Sequence, residues 1–528
     1  MMLCSRPQGM VFLKVNSLLL FQMKKFFTLL FISYAIGVLA QNKQDYYWPL
    51  GFDPNPASPP FTGIEFDFNN LPFEPSQRNA GLEFDQNNAS ICDEDGNLLF
   101  YSNGCAVANR HHQIMPHGDS INAGLFFDYY WRGMCRLGYP GTQNLIILPD
   151  PGYEDGYYIL HIPITTDSIT LINTIDKISY SYIDMALDGG DGDIVEKNKI
   201  LYDKGQILSS YLTAIRHINK KDWWIVNPIK PGGFVIYLLN ESGFTELSTT
   251  QEPLWDDFYS SAAGDARFSP DGRKYALFNK WDGVQLYDFD REDGSLVLDD
   301  MIPWRFEENG VFTSCEWSPN SRFLYLAQAD SLFQLDTWTE PLEDGLEFID
   351  EYNRIADPFG GFFFKAALGP DCRIYIRPGS SSNSFHVIHK PDEKGIACEF
   401  VQQGIQLPHL SSRGSFPNFP RFRVDEEEKC DPGILSIVGE AVYWRRDLTA
   451  YPNPTRDQVK IEIPQNQRGQ LFVLDMQGQM VIQKDVEVLI GKVGLSMGHL
   501  PSGMYSVEFV PEDNKERVVY TSNVVVLD

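Results

Sequence analysis

The sequence predicts an all-β protein, with a six- or seven-bladed β-propeller followed by a small immunoglobulin-like β-sandwich. Two observations predict this architecture. A unit of about fifty residues recurs along most of the chain, and each copy joins a tight polar turn to alternating apolar residues. Residues 451–528 contain further strand-like runs separated by turns, which is typical of a small sandwich.

The repeat is clearest in ASICDEDGNLLFYS (89–102), ARFSPDGRKYALF (266–278), EWSPNSRFLYLA (316–327) and AALGPDCRIYIR (366–377). Pro, Asp, Asn and Gly favour the turn because they fix φ or tolerate the left-handed conformation. The alternation that follows indicates a half-buried strand, so each copy is a β-hairpin. Weaker copies surround Gly156 and Asp222. Hairpins repeated at this spacing are typical of propeller blades.

The number of blades depends on the two ends of the propeller. Six hairpins are visible, and strands near 61–84 and 411–424 would complete a seventh blade from both chain ends. Such a shared blade would hold the termini together. We therefore favour seven blades, with six as the alternative.

The N-terminal region carries a displaced export signal. From Met23 the chain runs MKKFFTLLFISYAIGVLAQ, where two lysines precede an apolar run. This pattern predicts a signal peptide over 23–40, with cleavage between Ala40 and Gln41. Residues 1–22 are then a spurious extension upstream of the true start. A membrane anchor is the alternative, but the run is short for a spanning helix.

Composition narrows the classes of partner. The formal net charge is −28, which disfavours binding to nucleic acid. No second stretch is long and apolar enough to cross a bilayer, so we expect no transmembrane span in the mature form.

Export places the cysteines in an oxidising compartment. Seven remain after cleavage, so at least one stays unpaired, and no CxxC spacing suggests a zinc cluster. We predict a disulfide between Cys105 and Cys135, because it would close a long loop.

One run of acidic residues is a candidate for calcium. Asp188, Asp191 and Asp193 lie in DGGDGD, and carboxylate and carbonyl oxygens are calcium ligands. The run lacks the spacing to a closing glutamate, so a plain β-turn is the favoured interpretation. We expect no other cofactor.

Two further groups of residues could form a functional site or could be ordinary surface or core residues. His111, His112 and His117 share a loop and could ligate a transition metal, but surface histidines are favoured. Aromatic residues crowd Tyr129–Trp131, Trp223–Trp224 and Phe362–Phe364. Packing between blades is the favoured role, and an exposed platform for carbohydrate or peptide is the alternative.

The sequence assigns no catalytic residue. Gly494–Gly498 (GLSMG) fits G-x-S-x-G, but a nucleophile elbow needs a strand–turn–helix followed by an acid and a histidine. Only the adjacent His499 follows. Whether the protein is an enzyme stays open, and a non-enzyme is the favoured expectation.

Three motifs near the C-terminus occur in a fixed order. They are YPNP (Tyr451, Pro452, Asn453, Pro454), LDMQGQ with Asp475 and Gly478, and LPSGMYSV with Leu500, Pro501, Gly503 and Tyr505. Together they resemble the type A sorting domain of the type IX secretion system. This resemblance implies handling by that machinery, passage through the outer membrane and removal of the domain. The mature protein is then released or attached to surface lipopolysaccharide. An adhesive domain that stays attached is the alternative.

The repeats carry a second resemblance. FSPDGRKYALF and WSPNSRFLYL resemble the TolB-type, WD-like propeller repeat. Residues 79–118, SYIDMALDGGDGDI (181–194), LTAIRHINKKDWWIV (212–226) and SFPNF (415–419) resemble exported propellers of the Bacteroidota. The predicted organisation is therefore a propeller over 41–430, a linker over 431–450 and a sorting domain over 451–528.

These observations favour a secreted or outer-membrane surface protein that reaches its place through the periplasm. We expect a non-enzymatic module that binds an unknown extracellular protein or glycan. The alternatives are a surface hydrolase or lyase acting on polysaccharide or glycoprotein, and a structural component of a surface or gliding assembly. Clustered Asp, Glu, His or Arg in the central funnel would favour the hydrolase, and an apolar or plugged funnel would disfavour it.

Overall fold

A computed structural model describes most of the chain after the predicted signal. The described residues are 42–52, 61–69, 74–247, 264–303, 312–354, 361–424, 444–463, 467–474, 480–488, 491–511 and 518–527. The predicted signal peptide and its cleavage site lie outside them. The chain divides into two compact units, and the second contains 432–528 together with the short segments 388–390 and 396–402. No helix in the described ranges is long and apolar enough to cross a membrane.

Within 42–424 the described residues form seven sheets of three or four strands, and the strands of each sheet are arranged in their order along the chain. Sheets 1 and 2 have three strands, which are Tyr47–Gly51, Gly63–Asp67 and Ser76–Arg78, then Ala89–Cys92, Leu98–Ser102 and Val107–Asn109. Sheets 3 and 4 have four strands, which are Leu145–Pro149, Gly156–His161, Ile178–Asp184 and Asp193–Tyr202, then Thr213–Arg216, Trp223–Pro228, Phe234–Asn240 and Gly243–Leu247.

Sheets 5, 6 and 7 also have four strands each. Their strands are Asp265–Phe268, Lys274–Asn279, Gly283–Phe289 and Leu296–Ile302, then Thr313–Trp317, Phe323–Gln328, Ser331–Asp336 and Leu346–Glu351, then Phe363–Leu368, Ile374–Pro378, Ser382–Ile388 and Phe400–Ser411. A small hairpin pairs Thr165–Thr166 with Asn173–Thr174, and the short helices are Phe126–Trp131, Arg132–Leu137, Asp188–Gly190, Leu342–Gly345 and Gly395–Cys398.

The sheets follow one another around a closed cycle. The first strands of successive sheets lie side by side, and between sheets 3 and 4 the Leu212 amide donates to the Gln143 carbonyl (3.0 Å). Sheet 7 packs back on sheet 1, where the rings of Trp48 and Tyr375 are 5.9 Å apart. Each sheet thereby buries its faces against neighbours. The fold is all-β and propeller-like.

The repeated turn is present where the sequence predicts it. Gly96, Gly272, Ser321 and Cys372 occupy the same turn position and all have positive φ, at 91°, 70°, 62° and 65°. Each amide donates to the carbonyl three residues earlier, which closes the turn. Glycine adopts this conformation without strain, whereas serine and cysteine adopt it at some cost. Each turn joins the first two strands of its sheet.

The predicted disulfide between Cys105 and Cys135 is confirmed. It ties the helical excursion Phe126–Leu137 to the turn after the second strand of sheet 2. Cys92 and Cys315 are buried thiols outside any disulfide, in agreement with an odd number of cysteines.

The second unit has two sheets that share one apolar core. The five-stranded sheet consists of Trp444–Asp447, Val518–Val526, Gly503–Pro511, Gln467–Leu474 and Met480–Val488, in that order. The three-stranded sheet consists of Thr449–Tyr451, Gln458–Glu462 and Lys492–Ser496. Val459 and Ile461 of the smaller sheet are buried in the same cluster as Val473 and Phe509 of the larger one. The first described strand of this unit, Trp444–Asp447, thus lies within the predicted linker.

Candidate functional site

The predicted shared blade is only half right. Strands of residues 61–84 do belong to sheet 1, but the prediction of a strand over 411–424 is wrong. The last strand of sheet 7 ends at Ser411, and residues 412–424 continue without sheet structure apart from one bridge, Arg421 to Ile215. We call residues 412–424 the central segment, because it lies against the first strands of the sheets.

Asn418 shows how the central segment is held. Its backbone amide donates to the Asn88 carbonyl (2.8 Å), and its side-chain nitrogen donates to the carbonyls of Leu145 (3.0 Å) and Leu212 (2.9 Å). The backbone and side chain of this one residue thus satisfy backbone acceptors beside sheets 2, 3 and 4. Asn418 is only 3% exposed, so these bonds are protected from water.

A buried network of charges connects the central segment to sheets 5 and 6. Arg421 donates to the Phe268 carbonyl (2.8 Å) and forms an ion pair with Glu316. Arg267 lies 3.3 Å from the other oxygen of Glu316 and donates to the Asn418 side chain (3.2 Å). The Glu316 side chain is 4% exposed. Its charge is therefore balanced by two guanidinium groups rather than by water.

Further charges lie behind this network. Asp265, which is fully buried, accepts a hydrogen bond from Ser314 (2.5 Å) and lies 3.5 Å from the Lys365 ammonium. Lys365 also donates to the Gly264 carbonyl (2.9 Å). Burial lowers the pKa of Lys365, while the neighbouring Asp265 raises it. The first strands of sheets 5, 6 and 7 thus contribute charged groups that neutralise one another.

The end of the central segment is fastened to the beginning of the described chain. Arg423 forms two hydrogen bonds with the Asp45 carboxylate (2.5 and 2.6 Å) and donates to the Asn42 carbonyl (3.0 Å). The ring of Phe416 packs against Trp48 with centroids 5.2 Å apart. Both ends of the propeller-like unit therefore meet beside sheet 1.

The cavity found beside this network is small. A cavity of about 70 Å³ lies beside the central segment, lined by Arg267, Glu316, Pro319, Phe419 and Arg421 among others. General acid–base catalysis needs a carboxyl group within hydrogen-bond reach of a substrate. Glu316 instead has its oxygens committed to two arginines and to the Trp317 amide (3.0 Å). Charged groups thus cluster here, as expected for the hydrolase, but they are paired with one another.

The acidic run and the histidine loop, which the sequence treats separately, meet in the structure. Asp191 pairs with Arg110 (3.3 Å) and His111 (3.3 Å), and Asp193 pairs with His117 (2.8 Å). These contacts join the loop after sheet 2 to the turn before the last strand of sheet 3. Among the residues that the structure describes, no three His, Cys, Asp or Glu side chains are arranged to hold a metal ion. Calcium binding at Asp188, Asp191 and Asp193 stays a prediction.

The aromatic groups differ in burial. Trp223 and Trp224 are 1% and 2% exposed, and their ring nitrogens donate to the carbonyls of Pro149 (3.1 Å) and Arg291 (2.8 Å). Phe363 and Phe364 are also buried. Tyr129 is 83% exposed on the disulfide-bound excursion. The expected core packing is thus observed for Trp223–Trp224 and for Phe363 and Phe364, whereas Tyr129 lies at the surface.

A different aromatic residue, which the sequence did not single out, is held open to solvent. Trp338 follows the third strand of sheet 6 and is 68% exposed. The Arg322 guanidinium lies 5.1 Å from its ring centroid, in cation–π contact. Arg322 is itself fixed by two hydrogen bonds to Asp336 (2.9 and 2.7 Å). A lone tryptophan among polar residues, TWTE, was the available signal.

Trp338 stands at the edge of a groove of about 830 Å³ between sheets 5 and 6. Two exposed aliphatic side chains, Ile218 and Val297, lie in the same groove. The polar lining is mixed in charge and comprises Asp271, Arg273, Asp288, Asp290, Arg291, Ser295 and Asn320. Large exposed apolar groups gathered beside polar ones mark a binding surface.

The hydrogen bonds that fix Arg322 beside Trp338 predict that the stability of the native state depends on pH. Hydrogen bonds from Arg322 hold the pKa of the Asp336 carboxyl below its usual range. A carboxyl whose pKa is lower in the native state stabilises that state fully above its unfolded pKa of about 4. This stabilisation is lost as the pH falls through the native pKa.

We therefore expect Asp336→Asn to lower the unfolding midpoint at pH 7, with a difference from wild type that shrinks below about pH 4. Thermal unfolding between neutral and acidic pH measures it. Glu340→Gln, at an exposed carboxylate in the same loop, is the matched control. A difference between wild type and Asp336→Asn that is constant with pH would contradict the assignment.

The C-terminal motifs lie at turns of the second unit where the structure describes them. The Asn453 side chain accepts a hydrogen bond from the Val525 amide (2.9 Å), and the Tyr505 hydroxyl donates to the Pro501 carbonyl (2.8 Å). Asp475 and Gly478 lie outside the described residues. Ser496 ends the strand Lys492–Ser496 and its hydroxyl donates to Asp457 (3.0 Å). GLSMG is therefore not a strand–turn–helix.

Comparison with known protein families agrees with the description of the second unit. Residues 449–524 match the family model described as a secretion system C-terminal sorting domain. No curated protein is similar to the chain at a significant level.

Three solved structures are similar in fold alone. A protein from Lactobacillus plantarum is 12% identical with TM-score 0.34, over 86% of this chain and 99% of its own. A putative 6-phosphogluconolactonase from Bacteroides uniformis is 12% identical with TM-score 0.32, over 87% and 100%. The β-propeller domain of Cps50 (Swd1) from Myceliophteria thermophila is 7% identical with TM-score 0.29, over 55% and 92%.

The predicted sorting domain is thus confirmed by the family match over 449–524. It implies handling by the type IX secretion system and delivery to the cell surface or the medium. The C-terminal unit of this chain is a type IX secretion sorting domain.

Proposed function

We propose that this protein is an exported seven-bladed β-propeller that binds a protein or glycan outside the cell without chemically altering it. Each of the seven sheets is one blade, and the sorting domain is an immunoglobulin-like sandwich. The assignment of the repeat to the TolB type and of the source to the Bacteroidota belongs to the same proposal. So do cleavage after Ala40 and release or surface attachment of the mature chain.

One observation carries the non-enzymatic part of the proposal. The central segment fills the space where a propeller enzyme would assemble groups from several blades, and its arginines neutralise the carboxylates there. A carboxylate held by two guanidinium groups is a poor general base, because its lone pairs already accept hydrogen bonds from them. A protein or glycan ligand would then bind to the loops and grooves on the faces of the ring.

The proposal is tested with the exported protein and the extracellular polymer fraction of its native host. We expect saturable binding with no release of reducing ends, new unsaturated products or peptide fragments over the same time. Isothermal titration and product assays on one sample measure both. Progressive shortening of a polysaccharide or glycoprotein would overturn the proposal in favour of the hydrolase or lyase. The variant Glu316→Gln would then show whether the central carboxylate takes part.

A further inference from the structure

We infer that the groove beside Trp338 binds a neutral saccharide, with the indole ring stacked on the apolar face of a sugar. This inference rests on the proposed function and names its ligand class and its place. It starts from the energetic anomaly of Trp338. Among the tryptophans whose side chains the structure describes, only Trp338 has most of its side chain exposed to solvent. A large apolar side chain left in water forfeits stabilisation that burial would provide.

The ring is not only exposed but also fixed in orientation. Arg322 contacts its face at 5.1 Å, and the two hydrogen bonds from Arg322 to Asp336 fix the guanidinium. The Thr337 hydroxyl donates to the Arg322 carbonyl (2.8 Å), which ties the loop to the preceding hairpin. Asp336 also lies 3.4 Å from the Lys394 ammonium. A preorganised ring loses little conformational entropy when a ligand stacks on it.

The rest of the groove decides the class of ligand. Ile218 and Val297 add exposed aliphatic surface opposite polar groups that both donate and accept hydrogen bonds. A sugar ring offers the complementary combination of C–H faces and hydroxyl groups. The volume of about 830 Å³ lies within the range of small-molecule sites. It therefore has room for an oligosaccharide.

Charge favours a neutral saccharide over an acidic one. Asp271, Asp288 and Asp290 line the groove with only two arginines, Arg273 and Arg291. Arg291 already donates to the carbonyls of Arg216 (3.0 Å) and His217 (3.3 Å). Asp288 is paired with Lys274 (2.8 Å), which begins the second strand of the same sheet. The chain as a whole is strongly acidic, with a formal net charge of −28. The groove therefore offers no surplus of positive charge to a uronic or sialic acid, and the acidic chain as a whole would repel it.

The test uses the exported protein with cellotetraose, xylotetraose, mannotetraose and maltotetraose as probes, and tetragalacturonic acid as the acidic comparison. We expect at least one neutral probe to bind with a Kd below about 1 mM, and Trp338→Ala to weaken it by about ten-fold or more. Trp338→Phe should restore part of the affinity. Tyr129→Ala, at an exposed aromatic residue elsewhere, is the control and should bind as wild type. Thermal unfolding should confirm that all variants are folded.

The outcomes separate this inference from the proposed function. No neutral probe bound, or equal affinity in wild type and Trp338→Ala, overturns the saccharide site. If the host polymer fraction still binds under those conditions, the proposed function stands and its ligand is of another class. If a probe is cleaved during titration, the non-enzymatic proposal fails as well.

Discussion

Replacing Arg421 by methionine should destabilise the propeller-like unit by about 3–5 kcal/mol, the usual cost of removing one partner of a buried ion pair. The Arg421 side chain is 17% exposed and Glu316 4%. The variant loses the bond to the Phe268 carbonyl and leaves Glu316 with Arg267 alone. Because water cannot replace the missing cation, the cost should be large.

The matched control is Arg354→Met. Arg354 also forms an ion pair, with Asp330, but its side chain is 65% exposed. Exposed pairs contribute about 0–1 kcal/mol, so this variant should unfold close to wild type. Thermal and urea unfolding midpoints, measured on the exported protein at one scan rate, provide the comparison. Equal midpoints for the two variants would show that the central network does not hold the unit together.

Deleting residues 444–528 should abolish appearance of the protein on the cell surface and in the medium. The deletion starts at Trp444 because Trp444–Asp447 pairs with the last strand of the second unit. Truncation at Tyr451 would leave that strand without its partner. Since the sorting domain implies handling by the type IX system, the truncated chain should accumulate in the periplasm with its signal peptide removed.

Cell fractionation with intact-mass measurement checks this result. Met504→Gln, at a half-exposed position of the same unit, should be exported as wild type. Truncated protein in the medium at the wild-type level would mean that the domain does not direct export. A full-length mass outside the cell would show that the domain is retained after export, as an adhesive domain would be.

The sequence predicted most of the repeated structure because the signals are local. In SPDG and SPNS the proline, the acid or amide and the residue with positive φ lie within four positions. The first two strands of each sheet therefore follow from short stretches of chain. The disulfide between Cys105 and Cys135 could also be predicted from the sequence, because the export signal and the loop length together favour it.

The central segment could not be predicted in the same way. A strand near 411–424 was expected because it would complete a seventh blade from both chain ends. The hydrogen-bond partners of the segment instead lie beside several different sheets, such as Asn88, Ala214 and Phe268. No local pattern encodes partners spread over the whole chain. The exposure of Trp338 could not be predicted for a related reason. It depends on how the sheet holds Arg322 and Asp336.

The central segment also sets the order in which the chain can become compact. The contact between Asn42 and Arg423 joins residues separated by 381 positions, and that between Gln86 and Ser415 spans 329. Contacts of such long range slow folding, because the chain must close very large loops before they form. A chain that stops short of residue 412 lacks every bond that the central segment makes to the sheets. The beginning of the propeller-like unit therefore gains all its contacts with the central segment only after the chain has been synthesised beyond residue 423.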